Sequence, residues 1–249
     1  NNVISLTPDV VGKTTVTITI NNKTFQVNIN TLGVDVPNSL LLSTKQKKQI
    51  TVKGINGIKW NSSNSSVVSV SKNGTIYAKK TGNAVLIGTL GDLQLGCAVS
   101  VVTPARKRTV QKAIQIAKTC TYSQPKRMQE KFYDCSSLVW KSYHKNGVNF
   151  GMAYYAPVAA DMGKWCAQHK KLVSGGLSQA NIQNMKLNPG DVMFETGQKN
   201  GRYKGIYHVE MITGYIFYGF DGNGKAELGI QWAAGDEKYY PMGQMVGRP

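Results

Sequence analysis

The chain changes its hydrophobic period once, at Thr103-Pro104, and this switch constrains the fold more than any other feature. Before it, Val16, Ile18 and Ile20 alternate with threonines, Asn21-Asn22-Lys23 turns the chain, and Phe25, Val27 and Ile29 alternate in step. After it, Val110, Ala113, Ile114 and Ala117 recur at the spacing of one helix face. A spacing of two sends successive side chains to opposite faces of a strand, whereas 3.6 gathers them on one side of a helix. Composition changes at the same point, because no arginine precedes Arg106. The expectation is a two-part chain: an all-β sandwich, then an α+β part.

Within the β part, residues 1–36 read as a hairpin segment, the end of a preceding β module. Residues 37–103 read as a unit of their own. Strand-like runs fall at 49–52, 58–60, 67–70, 75–78, 84–90 and 93–101. Turn chemistry separates them at Asn56-Gly57, 61–66, Asn73-Gly74, Gly82-Asn83 and Gly91-Asp92. Short strands at this spacing predict a sandwich. The run from Trp60 to Val70, with Asn73-Gly74-Thr75-Ile76-Tyr77-Ala78 and Gly82-Asn83-Ala84, resembles the bacterial Ig-like group 2 domain. The resemblance implies a module of a surface or phage-type protein that positions or attaches its neighbour. Trp60, Val68, Val70 and Ile76 are core candidates, and no chemistry is assigned to this half.

In residues 104–249, Thr103 can cap a first helix with Pro104 at its first position. A second helix is predicted from Cys135 to about Lys145, stopped by Asn146-Gly147, and a third from Pro157 to about Lys171. Strands return after Pro189-Gly190, at 192–194, 206–212, 216–220 and 227–232, with a turn at Asp221-Gly222-Asn223-Gly224. Helices followed by an antiparallel sheet make an α+β layout.

Cys135 follows Asp134, a candidate N-cap, and opens the second helix. A thiol in the first turn of a helix feels the positive end of the helix dipole, which favours the nucleophilic thiolate. Only three histidines are present. His144 lies on the same helix and His169 at a lysine-rich helix end, so strand-borne His208 is the candidate base. Cysteine, then histidine, then a polar residue on the next strand is the order of a cysteine hydrolase. In that chemistry Cys135 attacks an amide carbonyl, His208 shares its proton and then protonates the leaving amine, and a third side chain holds the imidazole tautomer. The Cys135 backbone N–H can donate to the oxyanion.

Tyr133-Asp134-Cys135-Ser136-Ser137-Leu138-Val139, then Leu187-Asn188-Pro189-Gly190-Asp191-Val192-Met193-Phe194, then His208-Val209-Glu210-Met211-Ile212-Thr213-Gly214 together resemble the NlpC/p60 family of peptidoglycan hydrolases. The related CHAP family shares the general order. The resemblance spans roughly residues 105–240 and implies a papain-like fold that cleaves cell-wall stem peptides, often between D-γ-glutamyl and a diamino acid. It implies Cys135 as nucleophile, His208 as base and Gln231 as third residue. It implies Asp134 and Ser136 as holders of the substrate's free amine, and Tyr122 as an oxyanion-assisting tyrosine. Two departures stand out. Ser137 replaces a glycine, and residues 124–131 replace a glycine-rich stretch. Gln129 stands at the spacing of a papain-type oxyanion glutamine. Glu210 is read as a surface charge, and Asp134 serves equally as a plain N-cap.

The formal net charge is +17, with ten lysines and three aspartates before residue 104 and the rest of the excess after it. So basic a chain favours polyanionic partners, here the anionic polymers of a cell wall together with peptidoglycan. No nucleic-acid motif is present, no apolar run is long enough to span a membrane, and no signal peptide is visible. The four cysteines form no CxxC pair, so no metal and no cofactor is expected. Cys97, Cys120 and Cys166 read as small buried hydrophobes, with a Cys120–Cys166 bridge left open. The expected setting is extracellular, at the wall or on a virion, as a phage tail lysin, a mobile-element hydrolase or an autolysin. A CHAP-like amidase or cross-bridge endopeptidase, and a non-catalytic structural or adhesive module, are the competing readings.

Overall fold

The computed structural model describes residues 12–31, 33–53, 57–235 and 240–249. Strands β1 (Gly12–Ile20) and β2 (Lys23–Thr31) pair antiparallel from Gly12↔Thr31 to Ile20↔Lys23. Ile20, Phe25 and Val27 stay exposed, so this hairpin has no core of its own. Asn21 and Asn22 both take positive φ, which lets a two-residue turn join the strands.

The next unit contains β3 (Gly33–Asp35), β4 (Ser39–Ser43), β5 (Lys47–Gln49), β6 (Thr51–Lys53), β7 (Lys59–Ser62), β8 (Val68–Val70), β9 (Thr75–Ala78), β10 (Gly82–Leu90) and β11 (Leu93–Val102). One sheet has the order β4-β11-β10-β7 and another β5-β9-β8, while β3 pairs with β6. The β4–β11 pairing is parallel. Leu42, Ile50, Val68, Ile76, Leu86 and Val99 close the space between the sheets, each at most 2% exposed. The alternation read from sequence is therefore real packing. Asn56 of the expected Asn56-Gly57 turn lies outside the described residues.

Helix α1 (Pro104–Thr119) starts where the period changes, with the Thr103 side chain accepting from Arg106 N and Pro104 in the first turn. Then come β12 (Thr121–Tyr122), β13 (Phe132–Tyr133), α2 (Cys135–His144), α3 (Ala159–Gln168), α4 (Gln179–Gln183), β14 (Val192–Thr196), β15 (Ile206–Phe220), β16 (Ala226–Trp232) and β17 (Met245–Gly247). The sheet order is β16-β15-β14-β17, antiparallel throughout. Helices α1, α2 and α3 share one core with Val192, Phe194, Val209 and Met211 of that sheet. Gly163 allows α3 to lie close, since a Cβ there would stand 2.6 Å from Ile206 Cδ1.

Sequence and structure differ along several strands and at α4; the expected run 49–52 falls on two strands, β5 and β6, on either side of Ile50. The runs 206–212 and 216–220 form one strand of 15 residues, because β16 pairs across the glycines, with irregularities at Ile212/Gly214 and Phe217/Gly219. Helix α4 spans only five residues, too short to carry a periodicity.

The alternate faces of β10 and β11 carry different burdens. Leu86, Cys97 and Val99 fill the sandwich. Val85, Ala98 and Ile87 pack instead with Tyr215, Phe217, Leu228 and Ile230 of the C-terminal part. Phe217 N donates to Asn38 O at 3.0 Å, and the Asn83 amide donates to Met185 O and Leu187 O at 3.0 and 2.9 Å.

The Asn188-Pro189-Gly190-Asp191 turn closes on a wholly buried carboxylate. Asp191 accepts from Asn188 N at 2.8 Å and from Arg248 Nε and Nη2 at 2.9 and 2.7 Å. Hydrogen bonding to Asp191 raises the Arg248 guanidinium, against its partial burial. The turn thereby ties β14 to the last residues of the chain.

All four cysteines are free, so Cys120 and Cys166 do not pair. Cys166 lies in the core against Gly247, and burial pushes its thiol up to about 12. Cys97 is raised to about 12 by burial as well. Cys120 is half-buried rather than buried, because it is the C-cap of α1 and lines a surface hollow.

Candidate active site

Cys135 is the first residue of α2, and the cap that starts this helix is complete. Asp134 Oδ1 accepts from Ser137 N at 2.7 Å, while Ser137 Oγ accepts from Asp134 N at 2.8 Å. This is a reciprocal capping box. Serine at position 137, where the related pattern has glycine, therefore has a local cause: its hydroxyl satisfies the N-cap N–H.

The segment 124–131 has an equally concrete role. It delivers Arg127, whose Nη1 stands 3.2 Å from Asp134 Oδ2. Arg127 Nη2 donates to Ser136 Oγ at 3.1 Å and to Ala156 O and Pro157 O at 2.6 and 3.1 Å. Asp134 and Ser136 are 4% and 2% exposed. Both are occupied by the protein's own arginine and cap, so the structure puts them beneath the nucleophile rather than on its open side. Gln129 is exposed and uses its backbone carbonyl to receive Lys141.

A cavity of about 540 Å³ opens above the thiol, lined by Tyr122, Gln124, Cys135, Glu195, Tyr207, His208 and Tyr240. Sequence spacing put Cys135 and His208 in one mechanism; the fold brings both side chains into one cavity. Tyr122 reaches it from β12, paired in register with Tyr133 and packed edge-on to its ring at 5.4 Å. Burial and the negative charge of Cys135 raise the Tyr122 hydroxyl, while a hydrogen bond from the Cys135 backbone opposes them. Tyr122 and Cys135 thus line the same cavity.

His208 sits on β15 two residues before Glu210, so the two side chains share a strand face. Glu210 is 3% exposed, which overturns the surface reading, and its Oε2 stands 3.8 Å from His208 Nε2. Its Oε1 accepts from Met211 N at 3.1 Å. Tyr240 brings its hydroxyl to 3.3 Å from the same Nε2, and its ring packs against Trp232. The Nε2 side of the ring is thereby occupied. Burial pulls the His208 imidazole down. Hydrogen bonds to Cys135 and Glu210 and their negative charge outweigh it, lifting the imidazole to about 9. Burial, followed by the charges of Glu210 and Glu195, pushes the Tyr240 phenol up, so it stays neutral.

Gln231 is placed elsewhere. It lies opposite Gly214 on β16, and its Oε1 accepts from Ser39 Oγ at 2.8 Å. Its amide serves the junction with the β-sandwich and not the imidazole. The groups around Nε2 are Glu210 and Tyr240. Gln124, Glu195, Tyr207 and Tyr240 were not singled out in the sequence. Only Tyr207 and Glu210, beside His208 on its own strand, carried a local signal. Among the described residues no cluster of three metal-ligating side chains occurs, and no helix is long and apolar enough to cross a membrane.

Comparison with known proteins speaks to the N-terminal part. Residues 36–101 match the bacterial Ig-like domain (group 2) and are such a domain. No curated protein matches the chain. Among solved structures it is similar to an Ig-like-domain-containing GH10 xylanase from termite gut, at 22% identity over 26% of this chain and 18% of that one, with a TM-score of 0.24. It is also similar to domains 4 and 5 of the S-layer protein SbsC, at 18% identity over 40% and 62%, TM-score 0.24. A third is intimin in complex with Tir90, at 18% identity over 39% and 62%, TM-score 0.24. The chain spans less than two thirds of each of these three.

Proposed function

We propose that the chain is a cell-wall hydrolase, in which an Ig-like domain is joined to a papain-like cysteine peptidase that cleaves amide bonds in peptidoglycan stem peptides. One observation carries this reading: Cys135, at the N-terminus of α2, lines a single cavity with His208, whose imidazole the thiol and Glu210 raise to about 9. An imidazolium beside a cysteine at a helix N-terminus is the standard means of generating a thiolate nucleophile. The three motifs resembling the NlpC/p60 family direct the choice of substrate, with the bond between D-γ-glutamyl and a diamino acid as the first candidate.

In this mechanism the Cys135 sulfur attacks the amide carbonyl, and the developing oxyanion meets the Cys135 N–H and the Tyr122 hydroxyl. His208 gives its proton to the leaving nitrogen as the C–N bond breaks, leaving a thioester. Water then attacks the thioester, His208 accepts its proton, and the acid is released with the thiol restored. Glu210 and Tyr240 hold the imidazole through Nε2.

The basic surface suits an anionic wall. Lys112, Lys131, Lys141 and Lys145 line one hollow with Glu130 as its sole carboxylate, so wall binding is expected to weaken as salt rises. The proposed setting is extracellular, at the wall or on a virion.

Mass spectrometry of fragments released from purified sacculi tests the proposal, with wild type beside Cys135→Ala. Stem-peptide fragments from wild type alone support it, and their masses name the bond, separating this reading from a CHAP-like amidase or cross-bridge endopeptidase. Equal release by Cys135→Ala overturns it. Release by neither protein from walls of several chemotypes favours a binding module.

A further inference from the structure

The cavity above Cys135 has a charge character opposite to that of the chain. Thirty lysines and arginines are present in the sequence, yet none of the described ones lines this space; its described residues are three tyrosines, a glutamine, the Cys–His pair and Glu195. Glu195 is thus the sole carboxylate lining the cavity among the described residues. His208 does not require it, because Glu210 already stands at Nε2. Nor does any described lysine or arginine neutralise it, since the ion pairs among the described residues are those of Asp134, Glu210 and Asp191.

The position of Glu195 is fixed by the sheet. It lies directly opposite His208 in the β14–β15 ladder, just before the ladder shifts register between Glu195 and Thr196. Directly opposed residues of an antiparallel pair have their Cβ atoms about 5 Å apart. Tyr207 lines the cavity with Glu195, and hydrogen bonding to that carboxylate raises its phenol. Tyr207 is itself half exposed, as is Tyr122. An anionic carboxylate among exposed aromatic faces is a receptor for an ammonium group, through charge and cation–π attraction together.

Which part of a substrate reaches it follows from the mechanism. His208 protonates the leaving nitrogen, so the residue released as amine lies over His208, on the side where Glu195 stands. We propose, resting on the hydrolase reading, that Glu195 selects substrates whose leaving residue carries a free side-chain ammonium: a diamino acid not yet acylated on its second amine. In a wall, that description fits un-cross-linked stems and excludes those whose side-chain amine is already in a cross-bridge.

Binding can be separated from turnover in full-length Cys135→Ala. Calorimetry would compare the peptide L-Ala-γ-D-Glu-L-Lys-D-Ala with the same peptide acetylated on the lysine side-chain amine. The free-amine peptide is expected to bind about tenfold more tightly, the scale of one charge-assisted hydrogen bond. In Cys135→Ala/Glu195→Gln that preference is expected to vanish, with the acetylated peptide bound as before. In Cys135→Ala/Tyr207→Phe it is expected to shrink. Equal binding of both peptides to Cys135→Ala, or a preference that survives Glu195→Gln, overturns the inference. Wild-type turnover distinguishes the two layers: cleavage of both peptides at equal efficiency would sink the role of Glu195 and leave the hydrolase standing, whereas cleavage and binding of neither would remove both.

Discussion

Glu210, almost wholly buried, stands 3.8 Å from Nε2 of His208 on the same strand, and among the described residues no other carboxylate is paired with that imidazole. The acid-base pair at the candidate site is therefore supported from two positions along β15 and not from the neighbouring strand. Glu210→Gln keeps the shape and removes the charge. The rate is expected to fall on the order of 10²-fold, the lower end of what an acid-base group contributes. The alkaline limb of the pH–rate profile should move to lower pH. Gln231→Ala should leave that limb in place, because its amide is engaged with Ser39. An unmoved limb in Glu210→Gln would remove the carboxylate from the mechanism.

The raised imidazole also makes stability depend on pH. His208 titrates near 9 in the fold, against an ordinary 6.5. The folded state therefore binds the proton more tightly than the unfolded chain does. That stabilisation is fully present below pH 6.5 and is lost as pH rises through 9. Melting temperature measured from pH 6 to 10 should decline across this window in wild type. The decline should be shallower in His208→Gln, the other ionisations cancelling between the two proteins. Parallel curves would show that the folded histidine has no special affinity for its proton.

Arg127 answers the two buried groups that flank the nucleophile. Arg127→Met keeps the apolar stem and withdraws the cation, leaving the Asp134 carboxylate buried and unpaired while it caps α2. The expected loss is roughly 3 kcal/mol, as for other broken buried pairs. Because the Cys135 N–H is set by that first turn, thiol alkylation by iodoacetamide should slow as well. A variant with wild-type melting and wild-type alkylation would show that the capping box alone holds the turn.

What could be read along the chain was what is local. Periods of two and 3.6, the Thr103-Pro104 start and the Asp134 cap lie within a few residues of their causes. The pairing of Cys135 with His208 was legible because few histidines compete. The rest depends on elements far apart in sequence. Glu195 faces His208 only through the β14–β15 register, and Tyr240 arrives from beyond β16. Glu210 looked exposed because a lone glutamate in a strand gives no sign of the cavity wall behind it. Gln231 sits at the right spacing for a third catalytic residue, but the sandwich supplies Ser39, and that hydrogen bond joins positions 192 residues apart. The exchange at 124–131 was visible as a departure, though its meaning rests on where Arg127 lands.

The contact between the two halves turns on Gly96 and Phe217. A Cβ on Gly96 would stand 2.2 Å from Phe217 Cζ, inside the ring's own volume, so the aromatic side chain seats on bare backbone of β11. Phe217 belongs to the core that Val85 and Ala98 share with Tyr215 and Ile230. Gly96→Ala should therefore force the ring or the strand aside at a cost of about 1–3 kcal/mol, the usual range for overpacking. Truncating the ring makes room, so Gly96→Ala/Phe217→Leu should recover part of the loss and the two changes should not add. Denaturant unfolding of the four proteins in this cycle measures the coupling. Strict additivity would mean that the sandwich and the C-terminal part do not lean on each other through this pair. Coupling would make the Ig-like domain a structural wall of the candidate site, since β15 carries Phe217 at one end and His208 at the other.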